Sequence, residues 1–175
     1  MPWLELAIAR YIVFPRACRR LDWQGASRKF QDEGARVLDL WNTLSNEQLA
    51  QPILIRRFAG IEDSSRNWSV VMTVEHLNIV GSRMLDCIAN LRQGVVPESE
   101  ARIEDVKPST ELAADEVRAR FVQLLQRASS SEAASSVPRG HGPRFAHPWF
   151  GPLDAHQWHC LLALHQELHR KQIDL

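Results

Sequence analysis

Apolar residues recur every three or four positions in four long, separate segments of this 175-residue chain. That spacing places them on one face of an α-helix, and such a face must be covered by another element. The segments span about residues 26–44, 69–91, 110–128 and 154–175. Four long helices with a single apolar stripe each are typical of a four-helix bundle. We therefore predict an all-α protein.

The chain before the first long helix predicts a separate N-terminal arm. Residues 3–13 fit a short extra helix, which Pro15 is expected to end. The predicted division is an N-terminal helical arm at 1–25 and the bundle at 26–175. Because an apolar arm has to be buried somewhere, it favours a homodimer. The arginines that follow the apolar stretch are expected on a solvated face: Arg16, Arg19 and Arg20.

Two long connections separate the helices. Residues 95–109 are polar and contain proline, as in a crossover, and Ser109 or Thr110 is expected to cap the third long helix. Residues 129–152 are rich in Ser, Gly and Pro and are predicted to be a loop without a β-hairpin. The second half of this loop is too apolar for a free linker and is expected to pack against the end of the bundle. Its apolar or aromatic members are Phe145, His147, Trp149 and Phe150.

The last helix carries two histidines one turn apart, His165 and His169. Asp154 and Gln157 form a capping box at its start. At 100° per residue the pair lies on the apolar stripe, whereas His156 and His159 point away from it. Imidazoles at i and i+4 can grip one divalent metal, but a third ligand has to come from another helix. The alternative is a pair of core-edge histidines bonded to their neighbours.

Composition limits the function classes. The chain has 21 basic and 21 acidic residues, so its formal net charge is zero and it lacks a basic surplus for phosphate binding. We therefore expect no nucleic-acid partner. The N-terminal apolar stretch is too short to span a bilayer and carries Glu5 and Arg10, so no membrane is expected. Three scattered cysteines indicate a reducing compartment, and we predict a cytoplasmic protein.

Two motifs resemble those of the DinB/YfiT-like superfamily, a group of metal-dependent helical bundle proteins. They are NWSVVMTVEHL, which contains His76, and LHQELHRKQI, which contains the other two histidines; HPWFGPLDAHQW is similar to a DinB-like branch with an FGPL-type approach to the last helix. The resemblance implies an up–down–down–up four-helix bundle of DinB/YfiT-like type, here with a short extra N-terminal helix. It also implies one divalent metal, nickel or zinc, held by three histidines. Carried over, the metal ligands are His76, His165 and His169.

The resemblance has two departures. Many relatives continue the second motif as H-H-R-G-Q, whereas this chain has Leu168, His169, Arg170, Lys171 and Gln172. Only six residues follow His169, so the last turn is expected to be weakly supported. Some relatives of this kind transfer low-molecular-weight thiols or isomerise small acids with a thiol cofactor, and many have no known activity.

Three neutral imidazoles leave an open position on a metal, as in catalytic sites. Gln172, on the face of His169, is either an orienting group or a solvated amide, and His147 is either a fourth ligand, an acid or base, or an exposed loop residue. The first functional hypothesis is a divalent-metal-dependent enzyme, specifically a thiol-dependent transferase acting on an unidentified small molecule. The alternative is a non-catalytic metal-binding or dimerising helical module. A pocket at the three imidazoles would favour the enzyme.

Overall fold

The computed structural model describes residues 2–98, 106–109, 113–132 and 139–174. A π-helical turn spans Ala9–Val13, and a 3-10 turn spans Asp63–Ser65. The strands are β1 Phe145–His147 and β2 Gly151–Leu153. The helices are α1 Trp3–Ile8, α2 Phe14–Arg20, α3 Trp23–Asn42, α4 Asn46–Ala50, α5 Val70–Arg92, α6 Ala114–Glu132 and α7 Ala155–Ile173.

Helices α3, α5, α6 and α7 form the predicted bundle, with α7 packed between α3 and α5, and α6 completing the ring. Local signals set their starts. Asp22, Ser69 and Asp154 accept backbone N–H groups at the N-termini of α3, α5 and α7. The apolar stripes meet in one core, whose most deeply buried members include Phe30, Val37, Val74, Leu77, Val117, Phe121 and Leu162. The all-α prediction is confirmed.

Side-chain contacts show the direction of each helix. Ser27 contacts His159 and Glu33 contacts Arg170, so α3 and α7 run parallel. The Asn78 side chain donates a hydrogen bond to the Val117 carbonyl oxygen, and Arg127 donates one to Asp86, so α5 and α6 also run parallel.

The two parallel pairs run in opposite directions. Gln31 and Leu125, and Asn42 and Arg118, pair in reverse order, so α3 is antiparallel to α6. The order is therefore up, down, down, up, as the resemblance implied. As a consequence, the beginning of α5 lies next to the end of α7, and this brings the three predicted metal ligands to one end of the bundle.

Two glycines allow the closest helix approaches. A Cβ on Gly34 would collide with the side chain of Leu125, and a Cβ on Gly81 would lie 2.6 Å from Leu124 Cδ2. Both leucines belong to α6. The absence of a side chain at these positions lets α6 pack tightly against α3 and α5.

The prediction that Pro15 ends the N-terminal helix is wrong. The chain stays helical from Trp3 to Arg20, and Pro15 lies in the first turn of α2. The π-helical turn before it is wider, with the Phe14 N–H bonded to the Ala9 carbonyl oxygen, which accommodates the ring and its missing donor. Helix α3 begins at Trp23, three residues before the predicted start.

The loop predicted at residues 129–152 also differs from the structure. Helix α6 continues to Glu132, and Phe145–His147 pairs antiparallel with Gly151–Leu153 in a hairpin that the sequence did not predict. Gly151 has φ +72, a conformation that suits glycine after the three-residue turn. The predicted packing of the second half against the bundle is confirmed, since the Phe145 ring stacks on that of Trp158 in α7 with centroids 5.9 Å apart. Phe150 packs near Phe14 of the arm, with centroids 4.6 Å apart. Residues 133–138 lie outside the described residues.

The connection between α5 and α6 is described in part. Residues 99–105 and 110–112 lie outside the described residues, including Thr110, one of the two predicted caps. Helix α6 begins at Ala114, four residues later than that position. Residues 106–109 are described and run alongside the site.

The N-terminal arm is buried on one side and exposed on the other. Phe14 and Cys18 belong to the bundle's core, whereas Trp3 is 80% and Tyr11 is 70% exposed. The homodimer and the boundary at residue 25 stay predictions. Within the described part of the chain, no helix has both the length and the apolar character needed to cross a membrane.

Candidate metal centre

The three histidines predicted as metal ligands come together at one end of the bundle. His76 lies in the second turn of α5, and His165 and His169 lie in the last turns of α7. Because α5 and α7 are antiparallel, the three rings face one another. Their candidate ligand atoms all lie within 4.8 Å of each other. Tetrahedral ligands about 2.1 Å from zinc lie about 3.4 Å apart, so small side-chain movements would close the set around an ion.

Hydrogen bonds orient two of the three rings. His76 Nδ1 lies 2.7 Å from the Val106 carbonyl oxygen, and His169 Nδ1 lies 2.7 Å from Gln172 Oε1. Gln172 Nε2 donates to the Ser65 carbonyl oxygen at 2.8 Å, which fixes the direction of that amide. Both Nδ1 atoms therefore carry the proton, and both Nε2 atoms present a lone pair. Metal-binding histidines characteristically donate a hydrogen bond from the N–H of the other ring nitrogen to a carbonyl oxygen in this way.

His165 has a different proton arrangement. Its Nε2 lies 3.2 Å from His76 Nε2. Since the proton of His76 is on Nδ1, His165 donates its Nε2–H to His76. His165 is thus the ring whose proton has to leave Nε2 before that atom can bind a metal.

Burial keeps all three rings neutral at physiological pH. It lowers the pKa of His76, partly offset by the bond to Val106, and it lowers the pKa of His169 to about 3. The pKa of His165 lies well below its usual range because of burial and the neighbouring histidines. Neutral imidazole is the form that binds a metal.

A cavity of about 540 Å³ opens beside the three rings. Its lining includes four large aromatic side chains, those of Trp68, Phe145, Trp149 and Trp158. The Trp68 ring lies 5.0 Å from that of His76 and 6.3 Å from that of His169. Cys87 also lines the cavity, but burial raises its pKa to about 12, so it stays a thiol. The site is therefore open to a small molecule with an apolar body.

His147 lies in the same cavity wall, at the end of β1. Its Nδ1 accepts the backbone N–H groups of Trp149 at 3.1 Å and Phe150 at 3.3 Å. Burial lowers its pKa to about 4. With Nδ1 occupied by two donors, that atom cannot bind a metal, which argues against His147 as a fourth ligand through Nδ1.

The prediction that His156 and His159 point outward is wrong. Both are buried, at 3% and 6% exposure. His156 Nε2 donates to the Leu21 carbonyl oxygen at 3.0 Å, and the His159 ring stacks on Trp23 with centroids 4.2 Å apart. The angles of 100° per residue placed them correctly relative to His165. However, α2 and α3 cover the side of α7 that was expected to face solvent.

The last turn of α7 is better supported than expected. Gln172 is buried and bonds both His169 and Ser65, so it is not a solvated amide. Arg170 adds ion pairs to Glu33 at 2.8 Å and to Asp174 at 3.1 Å. Sequence reasoning missed Trp68 and the Val106 carbonyl. A tryptophan directly before the N-cap of the helix that carries His76 was the available signal for the first; a backbone oxygen leaves no signal in the sequence.

One solved structure with this architecture is the colibactin self-resistance protein ClbS in complex with double-stranded DNA. The match has a TM-score of 0.58 and covers 87% of this chain and 94% of ClbS, at 13% sequence identity. At that identity the likeness shows a shared fold.

The ClbS complex corrects the prediction that excluded a nucleic-acid partner. That prediction used the zero net charge of the chain. A protein of the same fold binds duplex DNA, so the fold is compatible with a nucleic-acid partner. Net charge also says nothing about how the charges are distributed over the surface, and a local basic patch is sufficient for phosphate contacts.

No functionally curated protein matches the sequence. The sequence profile of the DinB superfamily matches residues 29–173, which include α5, α6, α7 and all three histidines of the cluster. The predicted relationship, the up–down–down–up bundle and the family profile agree. This chain belongs to the DinB superfamily.

Proposed function

We propose that this protein is a divalent-metal-dependent enzyme in which His76, His165 and His169 hold zinc or nickel beside a pocket for a small molecule. One observation carries the proposal. The two buried imidazoles, His76 and His169, have their Nδ1–H groups fixed by acceptors, so that their Nε2 lone pairs converge beside an open cavity. A purely structural cluster would have no need of that cavity.

The donor set fits a catalytic ion. Three neutral nitrogens satisfy a borderline-soft metal and leave a position for an exchangeable ligand. A divalent cation held there would lower the pKa of a bound water or thiol. The protein's own residues supply orientation: Val106 and Gln172 fix two rings, and the aromatic wall excludes water from the apolar part of a substrate.

The specific reaction we propose is transfer of a low-molecular-weight thiol. The thiol sulfur forms a bond to an electrophilic carbon, the bond from that carbon to the leaving group breaks, and the thiol proton leaves with the leaving group. The cavity of about 540 Å³ has room for both reactants. The three buried, unpaired cysteines support a reducing compartment, the cytoplasm, where such thiols are abundant.

Metal content tests the first part of the proposal. Protein reconstituted with zinc or nickel and then dialysed is expected to retain about one ion per chain, and His165→Ala is expected to lose it. The measurement is metal content by mass spectrometry. If wild type and variant retain equal amounts, or neither retains any, the three-histidine site is not a metal centre.

A cobalt-substituted sample tests the thiol. Titration of 2-mercaptoethanol into the cobalt-loaded protein is expected to produce sulfur-to-cobalt charge-transfer absorption in the near ultraviolet, as a thiolate replaces water. His165→Ala treated in parallel is the control for free cobalt. If the wild-type spectrum does not change at saturating thiol, the thiol-transfer reaction is excluded while the metal site stands.

The second candidate function is binding of duplex DNA through a basic patch at the end of the arm. The patch consists of Arg16, Arg19, Arg20 and Arg139, all exposed. Arg139 donates to the carbonyl oxygens of Arg19 and Leu21 at 3.0 Å each, which holds its guanidinium against the end of α2. Together with the DNA complex of ClbS, this local concentration of positive charge favours phosphate contacts.

Fluorescence anisotropy of a labelled duplex tests this candidate. We expect Arg19→Gln/Arg20→Gln to weaken binding and to reduce the slope of log affinity against log salt by about 2. Arg28→Gln/Arg56→Gln is a matched control, since both arginines are exposed and the net charge is the same. Equal affinities and slopes for the two double variants would rule out this patch.

A further inference from the structure

The hairpin fixes the proton of His147. Two backbone N–H groups, those of Trp149 and Phe150, point at its Nδ1. A nitrogen that accepts hydrogen bonds carries a lone pair, so Nδ1 is unprotonated. The proton of the neutral ring is therefore on Nε2. Movement of that proton to Nδ1 would place three N–H groups against one another in the turn.

The same ring lines the cavity of the three-histidine cluster. Its Nδ1 edge faces its own turn, so the opposite edge, with Nε2–H, is the one left for the cavity. Among the described residues, no group accepts a hydrogen bond from Nε2. His147 is also close enough to His165 for a proton on one to disfavour a proton on the other. The geometry leaves an unused donor beside the cluster.

The walls around His147 keep it in this position. Its ring lies 5.1 Å from that of Phe150 and 5.3 Å from that of Trp158, measured between centroids. Trp158 belongs to α7, two turns before His165, and Phe150 packs on Phe14 of the arm. The hairpin is thus braced on two sides, and the donor is preorganised rather than mobile.

We infer that His147 is a positioning residue, whose Nε2–H donates a hydrogen bond to the atom of a ligand held at the three-histidine site. The inference rests on the proposed metal site. It defines the ligand chemically: the atom beside His147 is an acceptor, such as a carboxylate, carbonyl or thiolate, and a ligand that presents an N–H or O–H there is disfavoured. His147 neither binds the metal nor takes up a proton, since its Nδ1 is engaged by the turn.

Substitution by asparagine separates the two roles of the ring. The Oδ1 of His147→Asn can accept the same two backbone N–H groups, because asparagine side chains commonly form such turns. The shorter amide does not reach the place of Nε2. The probe is azide, a small anion that binds cobalt with a visible spectral change. His141→Asn, at an exposed histidine of the same connection, is the matched control.

The expected result is that cobalt affinity is unchanged in both variants, while azide binds His147→Asn roughly tenfold or more weakly than it binds wild type or His141→Asn. If azide binds His147→Asn as it binds wild type, the ring serves only the hairpin and the inference is wrong. A large loss of cobalt affinity in His147→Asn would instead make His147 a metal ligand, which also overturns it. If wild type binds no cobalt, the proposed function fails first, and the inference falls with it.

Nitrogen-15 NMR of the metal-free protein gives an independent readout. The two-bond couplings of the His147 ring distinguish the two neutral tautomers, and we expect the proton on Nε2. A proton on Nδ1 would overturn the inference even if the metal site is real.

Discussion

The two halves of helix α7 carry two histidines each, and desolvation lowers the pKa of all four. His156 and His159 lie in the first half, and His165 and His169 in the second. The halves differ in what surrounds the ring nitrogens. In the first half Nε2 of each ring faces a backbone carbonyl oxygen. In the second half the ring nitrogens of His165 and His169 lie close to His76 of α5, beside a cavity. Burial and a lowered pKa therefore do not identify a metal ligand. A candidate ligand is identified by the direction of its ring nitrogens and by a cavity next to them.

The sharpest test of this difference is metal affinity in one variant from each half. We expect His169→Ala to weaken zinc binding roughly 50- to 1000-fold, since about 10–16 kcal/mol shared among four ligands is about 2.5–4 kcal/mol for each. His159→Ala is expected to bind zinc as wild type does, although it is less stable. The measurement is competition with a chromophoric chelator. If both variants lose affinity equally, the loss reports damage to α7 rather than removal of a ligand.

Stability as a function of pH tests the first half alone. Burial lowers the pKa of His159 to about 4. Between pH 6.5 and 4 the unfolded chain binds a proton that the folded chain rejects, so stability is complete above about pH 6.5 and falls as the pH decreases toward 4. With a pKa of about 4 in the folded chain and about 6.5 in the unfolded chain, this loss is about 3 kcal/mol.

The measurement is urea unfolding of metal-free protein between pH 4 and 7. His159→Gln cannot titrate, so its stability is expected to fall less steeply than that of wild type, even though other groups contribute equally to both. Parallel slopes for the two proteins would show that His159 is already accessible to protons in the folded state.

The sequence was most informative where the physics is local. The capping box of Asp154 and Gln157, the cap at Ser69 and the apolar periods located α5 and α7 to within a residue or two. The three predicted ligands also lie together in the structure: the apolar stripe of the last helix placed His165 and His169, and the resemblance to the DinB/YfiT-like superfamily supplied His76. Contacts between distant segments were not accessible in this way. A helical wheel gives angles around one axis, and it cannot show that α2 and α3 cover the face with His156 and His159.

Other features could not be predicted because they too depend on contacts between distant segments or on backbone atoms. The hairpin has three residues in each strand, too few for a period-two pattern, and it forms because Phe145 and Phe150 find partners on α7 and the arm. A proline usually ends a helix, but here the wider π-helical turn before Pro15 accommodates its ring, and the helix continues. The acceptor for His76 is a backbone oxygen, which any residue at position 106 would supply.

The comparison can be refined inside the second half by removing an orienting group instead of a ligand. Gln172→Ala deletes the acceptor that holds the His169 proton on Nδ1. We expect zinc affinity to fall roughly 10- to 100-fold, less than for His169→Ala. Lys171→Ala, an exposed neighbour on the same turn, is the control and is expected to bind zinc normally. An affinity for Gln172→Ala that equals the control would mean that His169 needs no orientation.

The smallest expected effect belongs to His156, and it tests whether the two halves are energetically independent. His156→Phe keeps a ring of similar size and removes the Nε2–H that donates to the Leu21 carbonyl oxygen. That oxygen still accepts a hydrogen bond from Arg139, so it is not left unsatisfied. We therefore expect a loss of only about 1 kcal/mol in the free energy of unfolding. Zinc affinity is expected to stay at the wild-type value, because the change lies more than two helical turns from His165. The measurement is the same chelator competition. A fall in zinc affinity would show that the arm packed on His156 and the three-histidine site form one cooperative unit. The two halves of α7 would then differ in the chemistry of their histidines while sharing one unfolding equilibrium.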